Sequence, residues 1–383
     1  MKITFVTDTY APQLNGVANT LRRLVEELRQ RGHDIDVIRP SSLASDEVGM
    51  QVPSVALPGY PEVRVGLPMG LILQARWFRN RPDVIYVATE TPLGTSAINA
   101  ARALDIPVAS GFHTNFQQYV AHYQLPLLER ATMSYLRHVH NRSDCTFAPT
   151  QDTIEELERQ GFCNLELLPR GVDTDKFTPQ KRDPFLRHQW GATEGSLVGL
   201  FVGRIAAEKN LPLVVRTFSE LKRRYPDFCG IFVGEGPKLE ELKSTHPEFV
   251  YAGPQFGEEL GRCYASADLF VFPSMTETFG NVTLEAMASG LAVIAYHYVA
   301  ARQHIIDEEN GFTAPFGDEE AFVEKAIHAA QFPKLSEVRE EARNSARKVR
   351  WKKVAKRFET NLMEMVGEDS SLPEEQATTT LTH

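Results

Sequence analysis

Short apolar runs separated by helical patterns recur twice along this chain, and that alternation restricts it to an α/β fold with parallel sheets covered on both faces. In the first half the runs are KITFVTD, DIDVIRP, PDVIYVAT, IPVASGFHT and CTFAPT, with LELLPRGV as the last strand. Between the first two, Val17, Leu21, Leu24, Val25 and Leu28 share one helical face and Gly32 ends the helix. SLVGLFVGR, FCGIFVGEG, FVYAGP, DLFVFPS and LAVIAYH repeat the pattern in the second half, where Val214, Phe218, Leu221 and Tyr225 mark a helix between the first two runs.

A chain of 383 residues with 42% hydrophobic composition has the material for more than one core. The alternation lapses at TDKFTPQKRDPFLRHQWGATEG, which is polar and broken by prolines. The expected organisation is a first Rossmann-like unit over residues 1–172, a linker over 173–195 and a second such unit over 196–347. Trp351, Val354, Phe358, Leu362 and Met365 then recur at helical spacing, so a helix over 348–366 is expected to cross back onto the first unit. The remainder, 367–383, is acidic, Thr-rich and poor in apolar residues, and reads as a disordered tail.

The formal charge of −9 argues against nucleic acid as a partner, because polyanion affinity comes from Lys and Arg neutralising phosphates. No run approaches the eighteen or more apolar residues of a membrane span, so membrane contact is expected only at the periphery. MKITFVTDTYAP lacks the uninterrupted apolar core of a signal peptide, and a cytoplasmic location is expected. Cys145, Cys163, Cys229 and Cys263 form no CxxC pair. Two DxD sequences occur, at Asp34/Asp36 and Asp173/Asp175; strand-start solvation and turn formation account for them better than Mg²⁺ binding.

Ligands of open α/β sheets bind at the carboxyl ends of the strands. There, TETFGNVTLEAMASG places Glu277 in a loop and Glu285 in the first turns of a helix beginning near Asn281, after Phe279 and Gly280. The helix start offers free N–H groups and a positive dipole end, which suit a phosphate. The two carboxylates need a different part of the ligand, and each can accept from neighbouring sugar hydroxyls. Ribose, diphosphate and sugar together make a nucleotide sugar. Alone, the pair is explained better as a dipole-favoured helix-start Glu and a solvated loop Glu. LFVGRIAAEKN shifts the balance, because Arg204 and Lys209 emerge at the same sheet edge and reach a diphosphate. In the first half, Gly16 stands between strand and helix, where backbone can approach a ligand. His113 lies just beyond a strand end, where structural and catalytic readings are equally open.

GRIAAEKN, VGEGP, YAGPQFGEEL, the E-x7-E segment, NGV and HTN together resemble glycosyltransferase family 4, the retaining GT-B enzymes, over nearly the whole chain. TDTYAPQLNGVANTLRRL, GFHTNF and PRGVD look most like bacterial GDP-mannose-dependent α-mannosyltransferases and transferases to glycolipids. The resemblance implies a GT-B fold and retention of anomeric configuration without a bound metal or other cofactor. It implies that Glu277 binds the donor sugar and Glu285 the ribose, with Phe279, Gly280 and Asn281 also in the donor site. Arg204 and Lys209 would hold the diphosphate, Gly16 would let the first helix approach it, and His113 would orient the sugar. The sequence departs from the pattern at Asn15, where many relatives carry a second glycine, and at Arg170, where Asn is common. The acceptor expected is a lipid or glycan, with GYPEVRVGLP and RWFRNR forming an apolar and basic face toward a lipid head group at the inner face of the cytoplasmic membrane.

A nicotinamide oxidoreductase would use the same architecture, but GEGP supplies only GxG and the first strand is not followed by a glycine-rich phosphate turn. A UDP-sugar-dependent glycolipid synthase of the same family, a sugar-nucleotide epimerase and a non-catalytic nucleotide-sugar binder remain as alternatives.

Overall fold

The structure, a computed structural model, describes residues 1–10, 16–41, 49–57, 60–113, 126–277 and 279–367. Asn15, the residues after His113 in GFHTNF, Thr278 and all but the first residue of the tail expected over 367–383 lie outside the described residues.

The first sheet is built by β1 (Lys2–Val6), β2 (Asp34–Pro40) and β3 (Met50–Val52). After a hairpin of β4 (Ser54–Leu57) and β5 (Tyr60–Gly66), it continues with β6 (Val84–Val87), β7 (Val108–Gly111), β8 (Cys145–Ala148) and β9 (Leu165–Leu167). Its order is β3-β2-β1-β6-β7-β8-β9 and every pairing is parallel. The second sheet comprises β10 (Val198–Val202), β11 (Cys229–Val233), β12 (Val250–Gly253), β13 (Leu269–Phe272), β14 (Ala292–Tyr296) and β15 (Phe312–Ala314), in the parallel order β12-β11-β10-β13-β14-β15. Each sheet therefore reverses its winding once, between β1 and β6 and between β10 and β13. At such a switch point the loops leaving adjacent strands diverge and open a crevice.

The apolar pattern explains the layers. Leu21, Leu24, Val25 and Leu28 bury one face of the helix Gly16–Gln30 in a core shared with Ile3 and Phe5 of β1. The same core takes Val354, Phe358 and Leu362 from the helix Trp351–Val366, so the last helix lies on the first sheet. Phe358 meets Tyr86 and Phe147 edge-on, each with ring centroids 5.0 Å apart. Buried Glu359 fixes the docking, accepting from Arg31 Nε and His33 Nε2 at 2.6 Å each.

The polar stretch between the sheets is ordered and docks on the second one. Phe177, Trp190 and Ala192 enter the second core, and Asp183 caps the helix Pro184–Gln189 by accepting from Phe185 N at 2.8 Å. Asp268 draws in Arg182 (2.8 Å) and Arg187 (3.1 Å) from this stretch and Arg339 (3.3 Å) from the helix Leu335–Lys348. Burial raises the Asp268 carboxyl, but the three guanidinium groups outweigh it and hold its pKa below the usual value. The chain crosses between the units twice at one place, where Val172 N donates to Val349 O at 3.1 Å.

Candidate active site

At the switch point of the second sheet, the turn after β10 carries Gly203, Arg204 and Ile205, and the turn after β11 backs it directly. Ile205 N donates to Glu235 O (2.8 Å) and Lys238 N to Ile205 O (3.0 Å). A Cβ on Gly234 would overlap the Gly203 carbonyl oxygen, and one on Gly236 would overlap that of Ile205. GEGP is thus the wall that shapes the Arg204 turn, and only glycine permits that approach. The Arg204 side chain is 67% exposed and makes a long contact with Glu208, 3.3 Å. The chain then forms a single 3₁₀ turn, Ala207–Lys209, and brings the Lys209 ammonium to Glu277.

Glu277 follows β13 across the switch point. Its Oε1 accepts from Lys209 Nζ and from Ser274 Oγ, the latter at 2.6 Å, while Tyr298 Oη donates to its carbonyl at 3.3 Å. Gly280 then takes a left-handed conformation, φ 89°, and caps the helix Asn281–Ala288. Glu285 lies on that helix, accepting from Tyr264 Oη at 3.0 Å. Burial raises the Glu285 carboxyl above its ordinary range, against the opposing pull of the Tyr264 hydroxyl and the Lys176 charge.

The first unit contributes a matching edge. A Cβ built on Gly16 would stand 3.9 Å from Asn281 Nδ2, so the N-termini of the helices Gly16–Gln30 and Asn281–Ala288 face each other across the cleft. The Asn281 Oδ1 between them is buried without a partner among the described residues. Two positive dipole ends, each worth about half a charge, meet there, and a Cβ on Gly280, just before Asn281, would stand 3.6 Å from the Glu277 side chain that pairs with Lys209. His113 follows β7, buried, with Nε2 against Tyr86 Oη and Nδ1 at 3.4 Å from Arg170 Nη2.

The structure thus brings together Gly16, Asn281, Lys209 and Glu277, with Gly280 and Glu285 on the same loop and helix. Phe279 turns its side chain away from the crevice. Its ring is 3% exposed in the second core, edge-on to His304 at 5.9 Å, so it has only its backbone to offer a ligand. Sequence reasoning missed Ser274, Tyr298 and Tyr264, which hold the two glutamates. Nothing in their spacing marks them, because each contact is made through the fold.

Residues 14–176 match Glycosyltransferase Family 4, and residues 196–331 match Glycosyl transferases group 1. A GDP-mannose-dependent alpha-mannosyltransferase of Mycobacterium tuberculosis is 33% identical over 85% of this chain and 87% of its own. The chain belongs to glycosyltransferase family 4. This glycosyltransferase is also similar to the alpha-monoglucosyldiacylglycerol synthase of Streptococcus pneumoniae, 29% identical over 77% of the chain and 71% of that protein. Sucrose-phosphate synthase from Thermosynechococcus elongatus has the same fold, with a TM-score of 0.75 at 17% identity over 96% of this chain and 100% of that one. The two facing parallel-sheet units are a GT-B arrangement, and the enzyme is a glycosyltransferase.

Proposed function

We propose that this enzyme transfers a hexosyl group, with mannosyl from GDP-mannose the foremost case, to a lipid or glycan acceptor, retaining anomeric configuration and using no divalent metal. The observation that carries this reading is the convergence of Lys209, Glu277 and the two opposed helix N-termini at one crevice. Arg204, Lys209 and the helix ends supply positive charge for the diphosphate and its departure as leaving group. Glu277 takes sugar hydroxyls, Glu285 takes the ribose, and His113 stands beside the sugar. The mannosyl donor is supported by relatives named GDP-mannose-dependent alpha-mannosyltransferase at 33% and 34% identity. A UDP-sugar-dependent glycolipid synthase is the second reading, favoured by the likeness to the alpha-monoglucosyldiacylglycerol synthase.

Among the described residues no helix is long and apolar enough to cross a membrane. The helix Gly70–Arg79 nonetheless leaves Leu71 and Phe78 each 82% exposed. Arg64, Arg76, Arg79 and Arg81 belong to the same stretch, in whose sequence no acidic residue lies between Arg64 and Arg81, although Arg76 pairs with Asp36 of β2. This face suits peripheral contact with an anionic lipid surface at the inner face of the cytoplasmic membrane, where a lipid acceptor would be met. Incubation of the purified protein with a panel of GDP- and UDP-sugars, with and without glycolipid acceptors, tests the donor. Release of GDP from GDP-mannose supports the first reading, release of UDP the second, and no diphosphate from any sugar contradicts both.

A further inference from the structure

Arg170, just after β9, is 4% exposed, and among the described residues no carboxylate pairs with it. A buried guanidinium without an anion is costly, and an arginine cannot shed its proton to escape that cost. Its hydrogen-bond partner is His113 Nδ1. Arginine offers donors only, so Nδ1 is the acceptor and the ring proton sits on Nε2, which donates to Tyr86 Oη. Two residues further along, Val172 is bonded to Val349 where the chain crosses for the second time, which anchors the backbone carrying the guanidinium.

The other groups around this pair do not compete for the imidazole. His140 approaches from the helix Pro126–His140, but its own Nδ1 meets Ser110 Oγ at 2.8 Å and its Nε2 meets Glu90 at 3.1 Å. Cys145 and Glu90 lie around Tyr86; burial pushes the Cys145 thiol up to about 12, so it stays uncharged. Burial and the Arg170 charge both push the His113 imidazole well below its usual value.

We propose that Arg170 is a positioning residue that holds His113 in a single neutral tautomer, Nδ1 bare and Nε2 protonated, at the wall of the donor site. Resting on the transfer reaction proposed above, the consequence is electrostatic. A donor sugar acquires positive charge as the diphosphate leaves, and an imidazolium beside it would oppose that charge. A guanidinium fixed behind the ring keeps the second positive charge off His113 down to acidic pH.

The test is ¹⁵N NMR of the full chain labelled at histidine, with His113 assigned by its loss in His113→Gln. Arg170→Met removes a buried charge without leaving an ionic partner, so it is expected to fold; Arg170→Lys retains the charge. Wild type is expected to show one Nε2–H tautomer for His113, with its titration displaced well to the acid side of a free imidazole. In Arg170→Met the resonance should lose the single-tautomer pattern and its titration should move up in pH relative to wild type, while Arg170→Lys should keep His113 neutral. In parallel, kcat of Arg170→Met should fall toward acidic pH at a higher pH than in wild type, following the His113 titration. A His113 resonance unchanged in Arg170→Met overturns the proposal, whatever the activity. A shifted resonance without the acid limb in kcat upholds the positioning role and instead contradicts the placement of His113 beside the sugar.

Discussion

Lys209 and Glu277 are ion-paired across the switch point of the second sheet, so the cation proposed for the diphosphate and the carboxylate proposed for the sugar neutralise each other in the structure. On the proposed reading, donor binding would exchange both partners, hydroxyls going to Glu277 and phosphate oxygens to the ammonium. Lys209→Ala should then lose leaving-group stabilisation, with kcat/KM falling by about 10²–10³. Steady-state kinetics with varied donor measures it, and a value near wild type would show that Arg204 and the helix ends suffice.

Glu285 couples donor affinity to stability. Its folded-state pKa is raised, so between the ordinary carboxylate value and the raised one the native state binds more protons than the unfolded state, and stability falls as pH rises through that window. Glu285→Gln removes the buried charge while keeping an oxygen for Tyr264 Oη. The variant should melt higher than wild type at pH 7, and the gap should close at acidic pH, where the native carboxyl is protonated. KM for the donor should rise about tenfold or more, the scale of a hydrogen bond to a charged group. Calorimetry at two pH values and donor-dependent kinetics check the two halves separately.

Much of this was legible in the sequence because a strand buried on both faces shows as a continuous apolar run. VGLFV in β10 and VIYV in β6 are buried at every position. The edge strand β3 and the last strand β15, three residues each, are too short to leave a periodic signal. In the site, Glu277, Lys209 and Gly16 were readable from their places at strand ends and helix starts. The inward turn of the Phe279 ring was not legible, because an aromatic in a ligand loop looks alike whether its ring turns outward or into the core. Tyr264 and Arg170 matter through contacts spanning 21 and 57 residues, which no local pattern carries.

Metal removal should leave turnover within about twofold of its starting value, because cationic side chains and helix ends stand where Mg²⁺ would act. One acid of each DxD sequence is engaged elsewhere: Asp36 accepts from Arg76 at 2.8 Å and Asp173 from Arg23 at 2.6 Å. Activity assays after EDTA treatment decide the matter. Loss of turnover restored by Mg²⁺ or Mn²⁺ would contradict this expectation.

The exposed face of the helix Gly70–Arg79 should bind anionic vesicles. Co-sedimentation with phosphatidylglycerol vesicles should be strong at low salt and lost in a Leu71→Glu/Phe78→Glu double variant. The melting temperature should change little, since both side chains are largely exposed. Equal binding to neutral vesicles would show that the arginines contribute nothing.

The two glutamates separate the roles on which the whole reading depends. In the proposed function Glu277 bonds the ring that acquires positive charge, whereas Glu285 bonds a ribose that does not change during transfer. Donor-varied kinetics of Glu277→Ala beside Glu285→Gln is therefore the most direct measurement. Glu277→Ala should chiefly lower kcat, by about 2.7–4 kcal/mol in barrier, and Glu285→Gln should chiefly raise KM. Reversed phenotypes, or a Glu277→Ala enzyme with wild-type kcat, would contradict the account.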